Sequence, residues 1–161
     1  MSLFIEGMNC ALCERPMTAD DQVFGTWGVW LPSTDRLHHF CDATLHWGCY
    51  AEWKYRERFA KSYFEFWAGS AHGNSYWRVV YRDEQILVTA NTDVAVSSAW
   101  IVIAETGSRL SVALSEWDEW LASVDHDDRH PVEQAAIKRV KATLSQCVPT
   151  RDAIERMASG C

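Results

Sequence analysis

Two short spacings restrict what the first third of this chain can fold into. One is Cys10-x-x-Cys13, inside "MNCALC"; the other is His46-x-x-Cys49, inside "FCDATLHWGCYAEW", with Cys41 just ahead of it. His46 and Cys49 stand at i and i+3, so both side chains share one helix face near its start. A helix N-terminus favours anionic sulfur through its free N–H groups and dipole. A tight Cys-x-x-Cys turn presents two more thiolates. Four nitrogen or sulfur donors grouped in this way suit Zn²⁺, which takes such ligands in a tetrahedron. Free cysteines also serve as small core residues. Four of the six cysteines fall within residues 10–49, in spaced company with a histidine, and that favours a ligand set. A thioredoxin-like redox pair would follow a strand in a βαβ unit. "MSLFIEGMN" offers a short strand at best, and that reading leaves His46 and Cys49 unused.

The layout resembles a treble-clef zinc finger of the broad RING and LIM type, over residues 8–67. In that pattern Cys10 and Cys13 match the knuckle pair, and His46 and Cys49 match the helix pair. The resemblance implies one structural Zn²⁺ per chain. Glu14 and Arg15 depart from it, because they follow the knuckle where such turns often carry Gly. Cys41 is an alternate ligand, able to replace His46 or Cys49. A complete RING holds two zinc ions with eight ligands, and Cys147 and Cys161 are too remote to supply the rest. Nucleases of the HNH class share the treble-clef core, and "LHHF" resembles their His-His strand with His38 or His39 as general base. No Asn lies between residues 40 and 73 to complete such a site. The His-x-Glu pattern of zinc deaminases is missing from "HWG", and Glu52 is the nearest carboxylate along the helix. A site closed by four protein ligands is structural, so no catalytic residue is assigned.

Around these residues the pattern predicts short strands at 22–31 and 36–41, turned by Pro32-Ser33-Thr34-Asp35. It then predicts one helix from about Thr44 to Trp67, capped by Asp42 or Thr44. Apolar residues fall on two sides of that helix, Tyr50, Trp53, Phe64 and Trp67 on one and Tyr55, Phe59 and Tyr63 on another. A helix apolar on two sides is sandwiched rather than laid on a surface. A composition change at 68–75 sets a soft boundary. Beyond it, strands are predicted at about 76–82, 85–90, 94–104 and 109–114, in an antiparallel meander. Ser115-x-x-Asp118 reads as a capping box opening a short helix. Pro131 opens a helix to about 146, and Thr150 caps a last one to about Ala158. The expected fold class is α+β: a zinc module at 8–67, then an α+β domain at 72–161. "DHDDRH", 125–130, reads as a solvated loop ahead of the Pro131 helix rather than as a second cation site.

Composition bounds the function. Apolar residues make up 48% and charged residues 23%, a globular balance, with nine Trp needing packing partners. The formal charge of −7 disfavours nucleic acid, which needs basic surface to displace counterions. It suits a basic protein partner, whose opposite potential steers encounter. No apolar run reaches 18 residues and the opening segment has no cationic stretch, so neither a membrane span nor a signal peptide is expected. The thiols are then expected to stay reduced, in the cytoplasm. The expected role is an adaptor or inhibitor that binds another protein, with the HNH-type nuclease as the alternative.

Overall fold

The strand-forming alternation of the second half produces a four-stranded antiparallel sheet in the computed structural model, which describes residues 5–71, 76–91, 98–123 and 128–159. Its strands are β3 (Trp77–Arg82), β4 (Ile86–Asn91), β5 (Ser98–Ile103) and β6 (Arg109–Ala113), in the order β3-β4-β5-β6. Residues 94–97 of the third expected strand lie outside the described residues. Register sets Leu87 opposite Val102 and Thr89 opposite Trp100, so those four share one face. Ile86, Val88, Ile101 and Ile103 share the other, where they meet Ile137, Leu144 and Ile154 in the largest core. A bulge between Val79 and Tyr81 shifts the β3–β4 register.

Both faces are covered by helices. Under the Ile-rich face lie α3 (Trp117–Ala122), α4 (Pro131–Cys147) and α5 (Arg151–Ser159). The other face receives α2 (Arg56–Ala71), whose Phe64 and Ala68 pack with Leu87, Val102 and Ala104. The opposite side of α2 turns Phe59 and Tyr63 toward Trp30, at ring distances of 5.1 and 4.5 Å. This helix is sandwiched, as its two apolar sides require.

The first half carries a two-stranded hairpin of β1 (Val23–Gly25) and β2 (Thr44–His46), followed directly by α1 (Trp47–Glu52). The expected strand at 22–31 is thus limited to three residues. The expected strand at 36–41 is a 3-10 turn over His38–Phe40. Thr44, expected in a helix or as its cap, lies in β2 because the hairpin pairs it with Gly25. Asp42 caps no helix; its carboxylate accepts the Gly28 N–H at 3.3 Å. The single helix expected over 44–67 is broken at Trp53, whose backbone is extended (φ −69°, ψ 122°). No Gly or Pro marks the break. The Trp53 ring packs on Phe40, Tyr55 and Phe59 at 4.6 to 5.8 Å, and that aromatic contact takes the place of a continued helix.

Helix ends in the second half follow side-chain chemistry. Ser115 does not cap α3, whose N-cap is Glu116 with no side-chain bond. Asp118 instead accepts the Arg151 N–H at 2.8 Å, while Thr150 Oγ1 accepts the Ala153 N–H at 3.2 Å, so both serve α5. Pro131 sits in the first turn of α4, and His130 Nδ1 accepts the Val132 N–H as its cap.

Candidate metal centre

A knuckle is built at residues 8–17. Asn9 bridges to Pro16, the Met17 N–H donates to the Met8 carbonyl, and the Cys10 N–H donates to the Arg15 carbonyl. The turn closes through the Glu14 N–H and the Cys10 carbonyl at 2.8 Å. Glu14 adopts φ 60°, in the left-handed region where its place in such turns is often Gly. The knuckle docks on β2 through the Ala11 N–H and the Thr44 carbonyl. Docking carries Cys10 and Cys13 to the junction of β2 and α1, where His46 and Cys49 stand.

The ligand atoms of Cys10, Cys13, His46 and Cys49 all lie within 4.8 Å of one another, and this group can hold one metal ion. His46 Nδ1 is 3.4 Å from Cys13 Sγ and 3.9 Å from Cys49 Sγ. The His46 backbone N–H donates to Cys10 Sγ at 3.3 Å. Cys10 is fully buried; the other three are partly buried. The remote ring nitrogen, Nε2, faces Asp21 Oδ2 at 3.7 Å. Asp21 is itself held by the Thr18 N–H at 2.7 Å and the Thr18 hydroxyl at 3.0 Å, which keep its carboxyl below the usual range. A carboxylate behind a ligating imidazole fixes its tautomer and orientation.

The thiols differ electrically. Hydrogen bonds from the Arg15 side chain, then its backbone, lower Cys13 to about 6. Burial, then the Cys13 and Cys10 sulfurs beside it, push Cys49 up to about 11. One sulfur ionises readily and the other resists, because burial disfavours its thiolate and the Cys13 and Cys10 sulfurs lie beside it. A divalent cation supplies the missing charge.

Other candidates fall elsewhere. Cys41 is buried and is not in this group among the described residues. His38 Nδ1 lies 2.7 Å from the Leu31 carbonyl, and the exposed His39 ring lies tilted against Phe40 at 3.9 Å. Both belong to a 3-10 turn rather than a strand. Glu52 is exposed and lines an open cleft with His46, Cys49, Asp20 and His130. Cys147 is exposed and remote. Of "DHDDRH", Asp125, His126 and Asp127 lie outside the described residues. The Asp128 carbonyl accepts Gln22 Nε2 at 2.9 Å, and His130 stacks on Trp47 at 5.2 Å.

Sequence reasoning missed Asp21 and Arg15 as companions of the site. Thr18-x-x-Asp21 is a recognisable local turn, but only the folded hairpin shows that it faces His46. Among the described residues no helix is long and apolar enough to cross a membrane. Comparison with protein-family models, with curated proteins and with solved structures found no match, so the functional reading rests on this chain's own residues.

Proposed function

We propose that Cys10, Cys13, His46 and Cys49 hold one structural Zn²⁺ in a treble-clef arrangement like that of RING and LIM modules. The chain then acts as a zinc-stabilised protein-binding module, an adaptor or inhibitor of a basic partner protein. The observation that carries the reading is the closed donor set of three sulfurs and one imidazole nitrogen. A tetrahedral ion with Zn–S bonds of about 2.3 Å spaces its donors roughly 3.6–3.8 Å apart. The Cys13–His46 and Cys49–His46 separations of 3.4 and 3.9 Å bracket that spacing. The order of knuckle, hairpin and helix supports the treble clef. Four protein ligands leave no position for water, so the metal's work is to hold β2 and the start of α1 to the knuckle. Supporting a binding role, the loop after β1 carries Trp27 and Val29 at 48% and 61% exposure, and the net charge is −7. The tie between His38 and Leu31 gives the nuclease reading no support.

Metal analysis of the purified protein tests the centre. One zinc per chain is expected, lost in Cys10→Ser, His46→Ala and Cys49→Ser and retained in Cys41→Ser. No metal in reduced protein, or loss with Cys41→Ser alone, overturns it. Cross-linking capture tests the role. A partner of basic surface, joined at residues 26–30 and released by Val29→Asp, is expected.

A further inference from the structure

A groove of about 490 Å³ runs between the end of α3 and the length of α4. Leu121 and Ala122 line one side, and Pro131, Ala135 and Ala142 line the other. Two lysines stand in it, Lys138 and Lys141, at i and i+3 on α4 and so on one helix face. Among the described residues no Asp or Glu lines this groove, in a chain whose net charge is −7. Nor does either lysine form an ion pair with a described residue. Lys138 is exposed. Lys141 is only 7% exposed. Its Nζ donates to the Ser123 carbonyl at 2.9 Å and to Ser123 Oγ at 2.8 Å, and it lies 4.8 Å from the Trp120 ring centre. These contacts pin the ammonium at the end of α3, but every one of them is neutral. The last carbonyls of a helix carry a fraction of one negative charge, against two cations here. An ammonium has three N–H groups, and Ser123 takes two of them. Desolvation alone pulls the Lys141 pKa below its usual value. A buried charge calls for a counter-charge, and the groove is where one can enter.

We propose that this groove binds a phosphate monoester, whose terminal oxygens accept from Lys138 and Lys141 while its organic body lies along Leu121 and Ala142. Such a group carries about −1.5 to −2 charges at pH 7, which balances two ammoniums. Lysines meet phosphate as flexible point charges and impose no planar fork. A tetrahedral dianion therefore suits them better than the bidentate carboxylate that an arginine takes. The volume is that of ordinary small-ligand sites. The same chemistry is offered by a free phosphate ester and by the phosphorylated side chain of a bound peptide. The inference does not depend on the metal centre, which lies in the first half of the chain.

The test follows backbone amide and indole resonances of the full, metal-loaded chain by NMR during titration with phenyl phosphate in phosphate-free buffer. Benzyl alcohol, a ring without charge, and chloride at equal ionic strength are the controls. Saturable shifts at Ser123, Lys138, Ala142 and the Trp120 indole are expected. Lys138→Gln should weaken binding at least tenfold, and Lys138→Arg should stay within about threefold of the parent. Lys141→Gln should weaken it as much. Because Lys141 also ties down the end of α3, the exposed Lys138 position decides the matter if that variant unfolds. Arg36→Gln removes an exposed cation of the first half and should change nothing. A parallel titration with the phosphoserine peptide Ac-Gly-pSer-Gly-NH₂ separates the sources. Phenyl phosphate binding as tightly or more tightly assigns a free ester, and tighter binding of the peptide assigns a partner's side chain. No saturable shift, equal shifts with benzyl alcohol or chloride, unchanged binding by Lys138→Gln, or an equal loss with Arg36→Gln would overturn the proposal. Metal content measured on the same samples keeps a failure here separate from a failure of the zinc reading.

Discussion

Glu14 shows what the turn after Cys10 demands of individual residues. The knuckle turn needs a left-handed residue four places after Cys10, and an L side chain there costs about 1–2 kcal/mol. Glycine removes that cost and returns about 0.5–1 kcal/mol through the greater freedom of the unfolded chain. Glu14→Gly is therefore expected to stabilise the protein by about 0.5–1 kcal/mol, roughly 1–4 °C in a thermal melt. A lower midpoint would show that the Glu14 side chain contributes something the turn geometry does not. Asp42 is the counter-case. It too is left-handed, at φ 56°, but its carboxylate accepts the Gly28 N–H. Asp42→Gly relieves strain and removes a bond together, so no gain is expected there. The grouping of four residues that could hold a metal is legible as spacing, because thiols and an imidazole at i, i+3 intervals have few other uses. Arg15 and Asp21 are not legible, since their roles exist only once the knuckle docks beside β2.

At the scale of elements, what reads correctly from sequence is what local periodicity controls. Leu110, Val112 and Leu114 alternate because one sheet face is buried, and β6 forms where that alternation places it. The break at Trp53 has no local signal, because an aromatic cluster assembled from Phe40, Tyr55 and Phe59 decides it. The capping box at Ser115-x-x-Asp118 fails for a similar reason. Its acid is engaged 33 residues away, at the start of α5. Two substitutions separate the local pattern from the observed bond. Asp118→Ala leaves the Arg151 N–H without its acceptor and should cost about 1 kcal/mol. Ser115→Ala, at an exposed position, should stay within about 0.5 kcal/mol of the parent. Denaturant unfolding of the two variants measures both, and equal costs would restore the capping box.

At the scale of the whole molecule, two cores of different origin are separated by α2 and the sheet. One gathers Cys10, Phe24, Leu45, Trp47, Tyr50 and Phe59 beside the candidate metal ligands. The other is the Ile- and Val-rich underside of the sheet, which owes nothing to the ligands. Between them run specific ties. The buried Tyr50 hydroxyl donates to the Thr106 carbonyl at 2.8 Å. Gly107, at φ 69°, lets the following turn approach so closely that a Cβ there would lie 3.2 Å from that hydroxyl and 3.3 Å from the Ala60 Cα. Removing the metal sets these ties against the loss of the clamp. A metal held by the four residues would join 10–13 to 46–49, and Cys10 is wholly buried in the core at that junction. Without a cation, the Cys49 sulfur resists ionisation because of its burial and the Cys13 and Cys10 sulfurs beside it. Chelation under reducing conditions should therefore strip amide-exchange protection from about residues 8–53 first. β4 and β5 should keep theirs, and α2 should fall between, because Phe64 and Ala68 remain seated on Leu87 and Val102. Uniform loss along the chain would mean that the Tyr50–Thr106 and Gly107–Ala60 contacts make the two cores one cooperative unit. Unchanged protection would mean that the aromatic packing of the first half stands without its metal, and the structural role of the centre would be lost.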